Sequence, residues 1–254
     1  MILTIDVGNS VLSFGLFSSG KIKKTYYLQT KEILRNVSYL NVLKLFEKKD
    51  ISHVVICSVV DEINEYIFEY LKEKKVEYTF LNKIIKQIGI KTLIKGSIGA
   101  DRLVNIFFCL KFFKTPFLII DLGTATTFDY INNKAIYEGG LIFPGIDISL
   151  KALNEYTSKL PIVKFKKKKS VVSNNTKDAI SSGFYWGYLS MIEGVIEKIK
   201  KEKKENFKVI LTGGNSKYFL DSDLFDLVDK NLTIKSLYLI YKDILTDERQ
   251  KQND

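Results

Sequence analysis

Two short stretches hold the residue types best suited to chemistry. Residues 3–17 read LTIDVGNSVLSFGLF and residues 119–130 read IIDLGTATTFDY. In each, an apolar run ends in an aspartate (Asp6, Asp121), followed by one apolar residue (Val7, Leu122) and a glycine (Gly8, Gly123). A small polar residue comes next (Asn9 then Ser10, or Thr124), and a second strand-like run follows. The chemistry this pattern suits is phosphate binding. Glycine lacks the Cβ that would hold an anion off the backbone. Backbone N–H groups and the Asn or Thr side chain can then face phosphate oxygens. The aspartate offers a carboxylate to a hard cation or to its bound water. A third glycine turn, TGGNS at 212–216, suits close approach of a nucleotide's sugar or base. One such corner is often only a tight turn. Two at matched places, with a strand-terminal Gly-Gly, point to a polyphosphate clasp. A further pair, Asp101-Arg102 in GADRLVN, stands at a helix start. From spacing alone it reads first as a capping pair; a carboxylate in that place would also be kept ionised by the helix terminus and the arginine.

The elements that position these residues follow from hydrophobic periodicity. Residues 2–7 and 11–17 read as a hairpin, and KIKKTYYLQT adds a third strand. Ile33, Val37, Leu40, Leu43 and Phe46 have helical spacing across 31–48. HVVICSVV is a continuous apolar run suited to a strand buried on both faces. A helix opens at Asp61, a plausible cap, and VEYTFL is a further strand. Residues 99–113 form a helix that Pro116 stops. The second half then starts over. FLIIDLG and ATTFDYI form a hairpin, KAIYEGGLIFPG is a third strand, and IDISLKALNEYT is a helix. A long helix begins near Thr176, and FKVILTGGNS is a strand. Each half reads β-β-β-α-β-α, an internal repeat at domain scale. The expected fold class is α/β: two lobes related by duplication, 1–113 and 114–254, with a central cleft.

Composition bounds the partners. Of 254 residues, 46% are hydrophobic, enough for a substantial core. No run approaches the roughly 20 apolar residues a membrane span needs. The N-terminal MILTIDVG enters a strand directly, so secretion is not indicated. Cys57 and Cys109 form no CxxC pair and read as buried thiols of a reducing cytoplasm. The net charge of +10 comes largely from lysines interleaved with glutamate on solvated helix faces. KFKKKKS, 164–170, is the one dense cationic run, and no zinc-finger or RNP-like pattern accompanies it, so nucleic-acid binding is not expected. His53 is the single histidine and reads as structural, and it excludes His-based triads. Trp186 reads as core or interface packing.

These motifs resemble those of the actin, Hsp70 and sugar-kinase superfamily, a resemblance that implies an actin-like ATPase fold with two ribonuclease H-like lobes. Within that superfamily the sequence resembles the type III pantothenate kinases across nearly the whole chain. The resemblance rests on DVGNS (6–10), GADRLVN (99–105), DLGTATTFD (121–129), GGLIFPGI (139–146), LP (160–161), TKDAISSGFYWG (176–187) and TGG (212–214), in the family's order. It implies ATP-dependent phosphorylation of pantothenate, with Asp101 as the general base. Gly99, Ala100, Arg102 and Thr176 would contact the substrate, and Thr176 could also cap the long helix. Asp6, Val7, Gly8, Asn9 and Ser10 would form the first phosphate turn, and Gly123 and Thr124 the second. Asp121 would hold a monovalent cation, K+ or NH4+, and Mg2+ would accompany ATP. Asp129 would be a supporting carboxylate. A cytoplasmic homodimer, with the long helix near the interface, is expected. The sequence departs from the family at Ser10, where threonine is usual. It departs again at Thr92 and Lys95, where the family has Tyr and Pro. Two other readings share the scaffold: a non-catalytic nucleotide-binding regulator, and a kinase for another small alcohol.

Overall fold

The protein is described here by a computed structural model, which covers residues 1–36, 43 and 50–245. The chain divides into two units. The first comprises residues 1–112 together with the chain from Asn231 onward. Strands β1 (Ile2–Val7), β2 (Val11–Ser18) and β3 (Lys21–Gln29) form an antiparallel meander. Helix α1 (Thr30–Arg35) follows. Asn36 ends it in an extended conformation, and of the helix expected over 31–48 the remaining residues 37–48, apart from Leu43, lie outside the described residues. Strand β4 (His53–Ser58) returns parallel to β1, and β5 (Tyr78–Phe80) lies parallel to β4. Helix α2 (Asp61–Glu73) joins β4 to β5. A short α3 (Leu81–Ile84) leads towards α4 (Ala100–Phe112). The sheet order is β3-β2-β1-β4-β5.

The second unit spans Phe113–Lys230. It holds β6 (Phe117–Leu122), β7 (Ala125–Ile131), β8 (Tyr137–Pro144), α5 (Ile146–Glu155), α6 (Thr176–Lys203), β9 (Lys208–Thr212) and β10 (Leu227–Val228). Its order, β8-β7-β6-β9-β10, repeats the first sheet strand for strand, with the same antiparallel and parallel pairings. The repeat read from the sequence is therefore a repeat of topology. Asp6 pairs in register with Cys57, and Asp121 with Thr212. The two aspartates thus occupy equivalent strand ends.

Strand alternation decides which side chains meet which helices. On one face of the first sheet, Leu3, Ile5, Val7, Val54 and Ile56 pack with Ile63, Ile67 and Leu71 of α2. On the other, Ile2, Val55 and Cys57 pack with Ala100, Val104 and Phe107 of α4. Burial on both faces explains the unbroken HVVICS run, each fully buried aliphatic side chain contributing about 1.5–3 kcal/mol.

The structure corrects two expectations. Sequence reading assigns 114–254 to the second lobe. Helix α7 (Leu232–Ile240) instead buries Ile234, Leu237 and Ile240 with Val55, Cys57 and Val104 of the first unit. Tyr238 stacks on Phe17, and a Cβ at Gly15 would stand 2.1 Å from Ile234, so Gly15 makes room for this helix. Asp61 is expected as the cap of α2. Val60 holds that position without a side-chain cap, its N–H donating to Ser58 Oγ at 3.1 Å, and Asp61 Oδ1 instead accepts from Asn64.

Candidate functional site

The first corner, Gly8-Asn9-Ser10, links β1 to β2. Gly8 N–H donates to Val11 O at 3.1 Å, and a Cβ at Gly8 would crowd that oxygen at 3.0 Å. Asn9 is exposed at the tip. Two more bonds come from Thr30, the first residue of α1, which is 1% exposed. Its N–H donates to Ser10 O at 3.0 Å and its Oγ1 donates to Gly8 O at 2.6 Å.

Asp6 lies one residue before this corner. Ile5 and Val7 belong to the α2 face, so alternation turns Asp6 to the α4 face, beside its register partner Cys57. Asp101 stands in the first turn of α4 on that same side of the sheet. The Cys57 thiol records both neighbours. Burial, and then the negative charges of Asp6 and Asp101, push its pKa well above the ordinary thiol value. Arg102 N–H donates to Asp101 Oδ1 at 2.9 Å, fixing that carboxylate at the helix start, and Leu103 N–H closes the first turn onto Gly99 O. The first unit thus gathers Asp6, Val7, Gly8, Asn9, Ser10, Gly99, Ala100, Asp101 and Arg102 at the carboxyl ends of β1 and β4 and the N-terminus of α4. Ends of adjacent parallel strands are where open α/β sheets bind ligands. Thr92 and Lys95 lie exposed in the segment before α4.

The second unit carries Asp121, Gly123 and Thr124. Gly123 N–H donates to Ala125 O at 3.1 Å. This corner is one residue shorter than the first: Leu122 pairs with Thr126, whereas Val7 pairs with Leu12. Its carbonyls are also held. Gly145 N–H donates to Thr124 O at 3.0 Å, and Asn215 N–H to Leu122 O at 3.3 Å. A Cβ at Gly145 would sit 2.2 Å from Thr124 O, so only glycine allows that approach. Gly213 has φ +91°, and a Cβ there would sit 2.4 Å from Asp121 Oδ1. Asn215 Nδ2 donates to Asp147 Oδ2 at 3.0 Å, tying the TGGN turn to the first turn of α5. Sequence reading misses Thr30, Asp147 and Asn215, since nothing local marks a bond to a corner distant in the chain.

Among the described residues no three His, Cys, Asp or Glu side chains form a metal cluster. The Asp121 carboxylate lies in a cradle that Cβ atoms at Gly213 or Gly123 would narrow. One carboxylate beside glycine backbone suits a cation whose other ligands are water and phosphate oxygens.

Thr176 is the first residue of α6 and is exposed. Asn175, not Thr176, caps the helix, its Oδ1 accepting from Asp178 N–H at 3.0 Å. The lysine run is tethered. Lys168 and Lys166 reach Asp178 at 2.6 and 3.4 Å, Lys167 pairs with Asp221, and Phe165 is buried in the core. Ser170 O accepts from Ser182 Oγ and from Trp186 Nε1. Asp129 is buried and accepts from Tyr137 Oη at 2.6 Å, a structural bond. His53 is buried against Thr79 at 2.8 Å. An apolar groove of about 420 Å3, lined by Phe143, Leu153, Ile180, Phe184 and Met191, runs along α6. No helix among the described residues is long and apolar enough to cross a membrane.

Comparison with known proteins places this arrangement. The model of the type III pantothenate kinase family matches residues 2–198. A type III pantothenate kinase of Persephonella marina is 38% identical over 256 aligned positions, covering 95% of this chain and 98% of that protein. Among solved structures, one described as a Baf family transcriptional activator from Campylobacter jejuni superposes with a TM-score of 0.58 at 22% identity. The superposition covers 94% of this chain and 97% of that one. A 2-dehydro-3-deoxygalactonokinase protein from Sinorhizobium meliloti gives 0.54 at 9% identity, covering 96% and 97%. Both establish likeness of fold alone. The chain belongs to the type III pantothenate kinase family, the ATP-dependent kinases that phosphorylate pantothenate for coenzyme A synthesis.

Proposed function

We propose that Asp101 is the general base of this kinase, accepting the proton of pantothenate's primary hydroxyl as that oxygen attacks the γ-phosphorus of ATP. The bond from phosphorus to the bridging oxygen breaks, ADP leaves, and the proton rests on an Asp101 carboxyl oxygen until solvent takes it. Phosphoryl transfer needs alignment and charge neutralisation more than covalent help. In this reading Asp6, Val7, Gly8, Asn9 and Ser10 form the first unit's phosphate turn, and Gly123 and Thr124 the second unit's. Arg102, with the backbone of Gly99 and Ala100, pairs with the substrate's carboxylate end, for which a guanidinium fork is suited. Thr176, relieved of capping by Asn175, offers its hydroxyl to the substrate. Mg2+ travels with ATP, and Asp121 holds a monovalent cation, K+ or NH4+. Each neutralises phosphate charge when bound.

The observation that carries this reading is the grouping of Asp6 and Asp101 on one sheet face, both charging the environment of Cys57. It brings a phosphate-turn carboxylate and a base to the same strand ends. The test is ADP release from purified protein with ATP, Mg2+ and K+, with and without pantothenate. Folded protein giving no pantothenate-dependent ADP overturns the reading.

The proposal includes a cytoplasmic homodimer joined along α6, where the apolar groove lies. Cys57 and Cys109 are buried and joined in no disulfide, which supports a reducing compartment. The regulator reading is disfavoured, since Lys166, Lys167 and Lys168 are paired with Asp178 and Asp221. The exposed Thr92 and Lys95 give the other-alcohol reading its only support, and a substrate panel separates the two.

A further inference from the structure

We propose that Thr30 is a positioning residue for the nucleotide's phosphates: the clamp that aims the amides of the first corner. The inference rests on the kinase reading above, but it concerns a residue outside every motif of that reading.

Peptide geometry is the starting point. In a trans peptide the C=O of one residue and the N–H of the next point in opposite directions. The peptide bond after Gly8 is trans, the cis bond among the described residues being Thr115–Pro116. Thr30 Oγ1 donates to Gly8 O at 2.6 Å, so the N–H of Asn9 is turned away from α1. Thr30 N–H donates to Ser10 O at 3.0 Å and fixes a second peptide plane of the same corner. One buried residue thereby sets two of the corner's planes, while Asn9 itself is exposed. Without the hydroxyl, the Gly8–Asn9 plane loses the bond that holds its oxygen, and glycine on one side eases its rotation.

The duplicated unit supplies independent support. Thr30 stands at the junction of the third strand and the following helix. Gly145 stands at the equivalent junction, between β8 and α5. Its N–H donates to Thr124 O at 3.0 Å, the counterpart of the bond from Thr30 N–H to Ser10 O. The same brace therefore recurs in both units at the same topological place. The second corner gains a further tie from Asn215 N–H to Leu122 O. The first corner has the counterpart of that tie, Val59 N–H to Val7 O at 3.0 Å, and carries one bond more, the Thr30 hydroxyl on Gly8 O. The longer first corner, with a third turn residue, is the one that carries it.

The test is Thr30→Val, which is nearly isosteric and puts a methyl in place of the hydroxyl, beside Thr30→Ser, which keeps the hydroxyl. Steady-state kinetics in both substrates and direct titration with a fluorescent ATP analogue are the readouts. Thr30→Val raises the ATP KM and the analogue Kd roughly five- to tenfold, the effect of losing one hydrogen bond. The pantothenate KM stays within about twofold, and Thr30→Ser stays near wild type. A merely structural role would lower the melting temperature without splitting the two KM values. Should Thr30→Val not fold, Thr30→Ala, smaller and without a misplaced methyl, must give the same split. An ATP KM and Kd within about twofold of wild type in the folded variant overturns the clamp. A wild-type protein without pantothenate-dependent ADP overturns the kinase reading instead, and the analogue titration then decides the clamp alone.

Discussion

Gly213 and Gly214 are neighbours in sequence, yet alanine at each should have opposite consequences. At Gly213 the backbone has φ +91°, which L-residues rarely adopt. The new Cβ would stand 2.4 Å from Asp121 Oδ1 and 2.6 Å from both N and C of Leu122. Real Cβ contacts essentially never fall under 3.0 Å, so a backbone shift of at least 3.0 − 2.6 = 0.4 Å is required. The shift cannot be taken up quietly. Leu122 ends a central strand, its carbonyl is held by Asn215 N–H, and Asp121 is in register with Thr212. The dihedral costs about 1–2 kcal/mol and the overlap about 1–3, together roughly 2–5 kcal/mol. For a chain of this size that lowers Tm by roughly 5–15 °C. At Gly214 nothing lies within 4 Å of a new Cβ and φ is not positive, so stability should change by less than about 0.5 kcal/mol. Gly213→Ala also displaces the Asp121 carboxylate and should lower kcat/KM for ATP more than tenfold. Gly214→Ala should raise the ATP KM while leaving Tm unchanged, if the nucleotide's sugar or base approaches the TGGNS turn there as the sequence leads one to expect. Thermal scans and a coupled ADP assay measure both variants. A Gly213→Ala protein that melts within about 1 °C of wild type and keeps its activity refutes the reasoning.

Four other perturbations test separate parts of the account. Asp147→Ala cuts the link between the TGGN turn and α5, and should raise the ATP KM a few-fold with pantothenate KM unchanged, about the worth of one hydrogen bond. Asp178 is held far below the usual carboxylate range, first by the Lys168 hydrogen bond and then by Asn175. Its contribution to holding the lysine segment is therefore full above about pH 4, the unfolded carboxylate value, and is lost as pH falls on through the strongly depressed folded value. Limited proteolysis should then cut near 166–172 in acid, and at neutral pH in Asp178→Ala. Replacing K+ by Na+ should slow turnover if Asp121 holds the monovalent ion, and Asp121→Ala should abolish the difference between the salts. Met191→Asp puts a charge into the apolar groove along α6, and gel filtration should move from dimer to monomer size.

Much of the fold is legible in the amino-acid sequence. The D-x-G corners, the unbroken HVVICS run and the restart at FLIIDLG specify two equivalent sheets, because strand period and turn chemistry are local properties. The destination of α7 is not legible. Leu232, Ile234, Leu237 and Ile240 make an apolar stripe that nothing local assigns to a sheet, whereas in the structure Ile234 lies where a Cβ at Gly15 would come within 2.1 Å and packs with Leu237 and Ile240 in the first unit. Asp61 is a misleading cap signal because Ser58 supplies a competing hydroxyl that no local rule ranks against it. Thr176 does stand at the start of α6, but the cap goes to its neighbour Asn175, a one-residue ambiguity inherent in Asn-Thr sequences. Of the candidate site, the corners and Asp101 can be named from sequence. Their braces cannot, because Thr30 reaches a corner about twenty residues back, and Gly145 likewise, by bonds that only strand pairing brings about.

The most direct test is single-turnover phosphate transfer from γ-labelled ATP to pantothenate, run on wild type and Asp101→Asn. The account requires rapid labelling of pantothenate by the wild type. It requires a fall of at least about a hundredfold in the variant, with ATP binding unchanged, as befits loss of a general base. Undiminished transfer by Asp101→Asn would remove the base from the account, and the grouping of Asp6 and Asp101 around Cys57 would then be architecture alone.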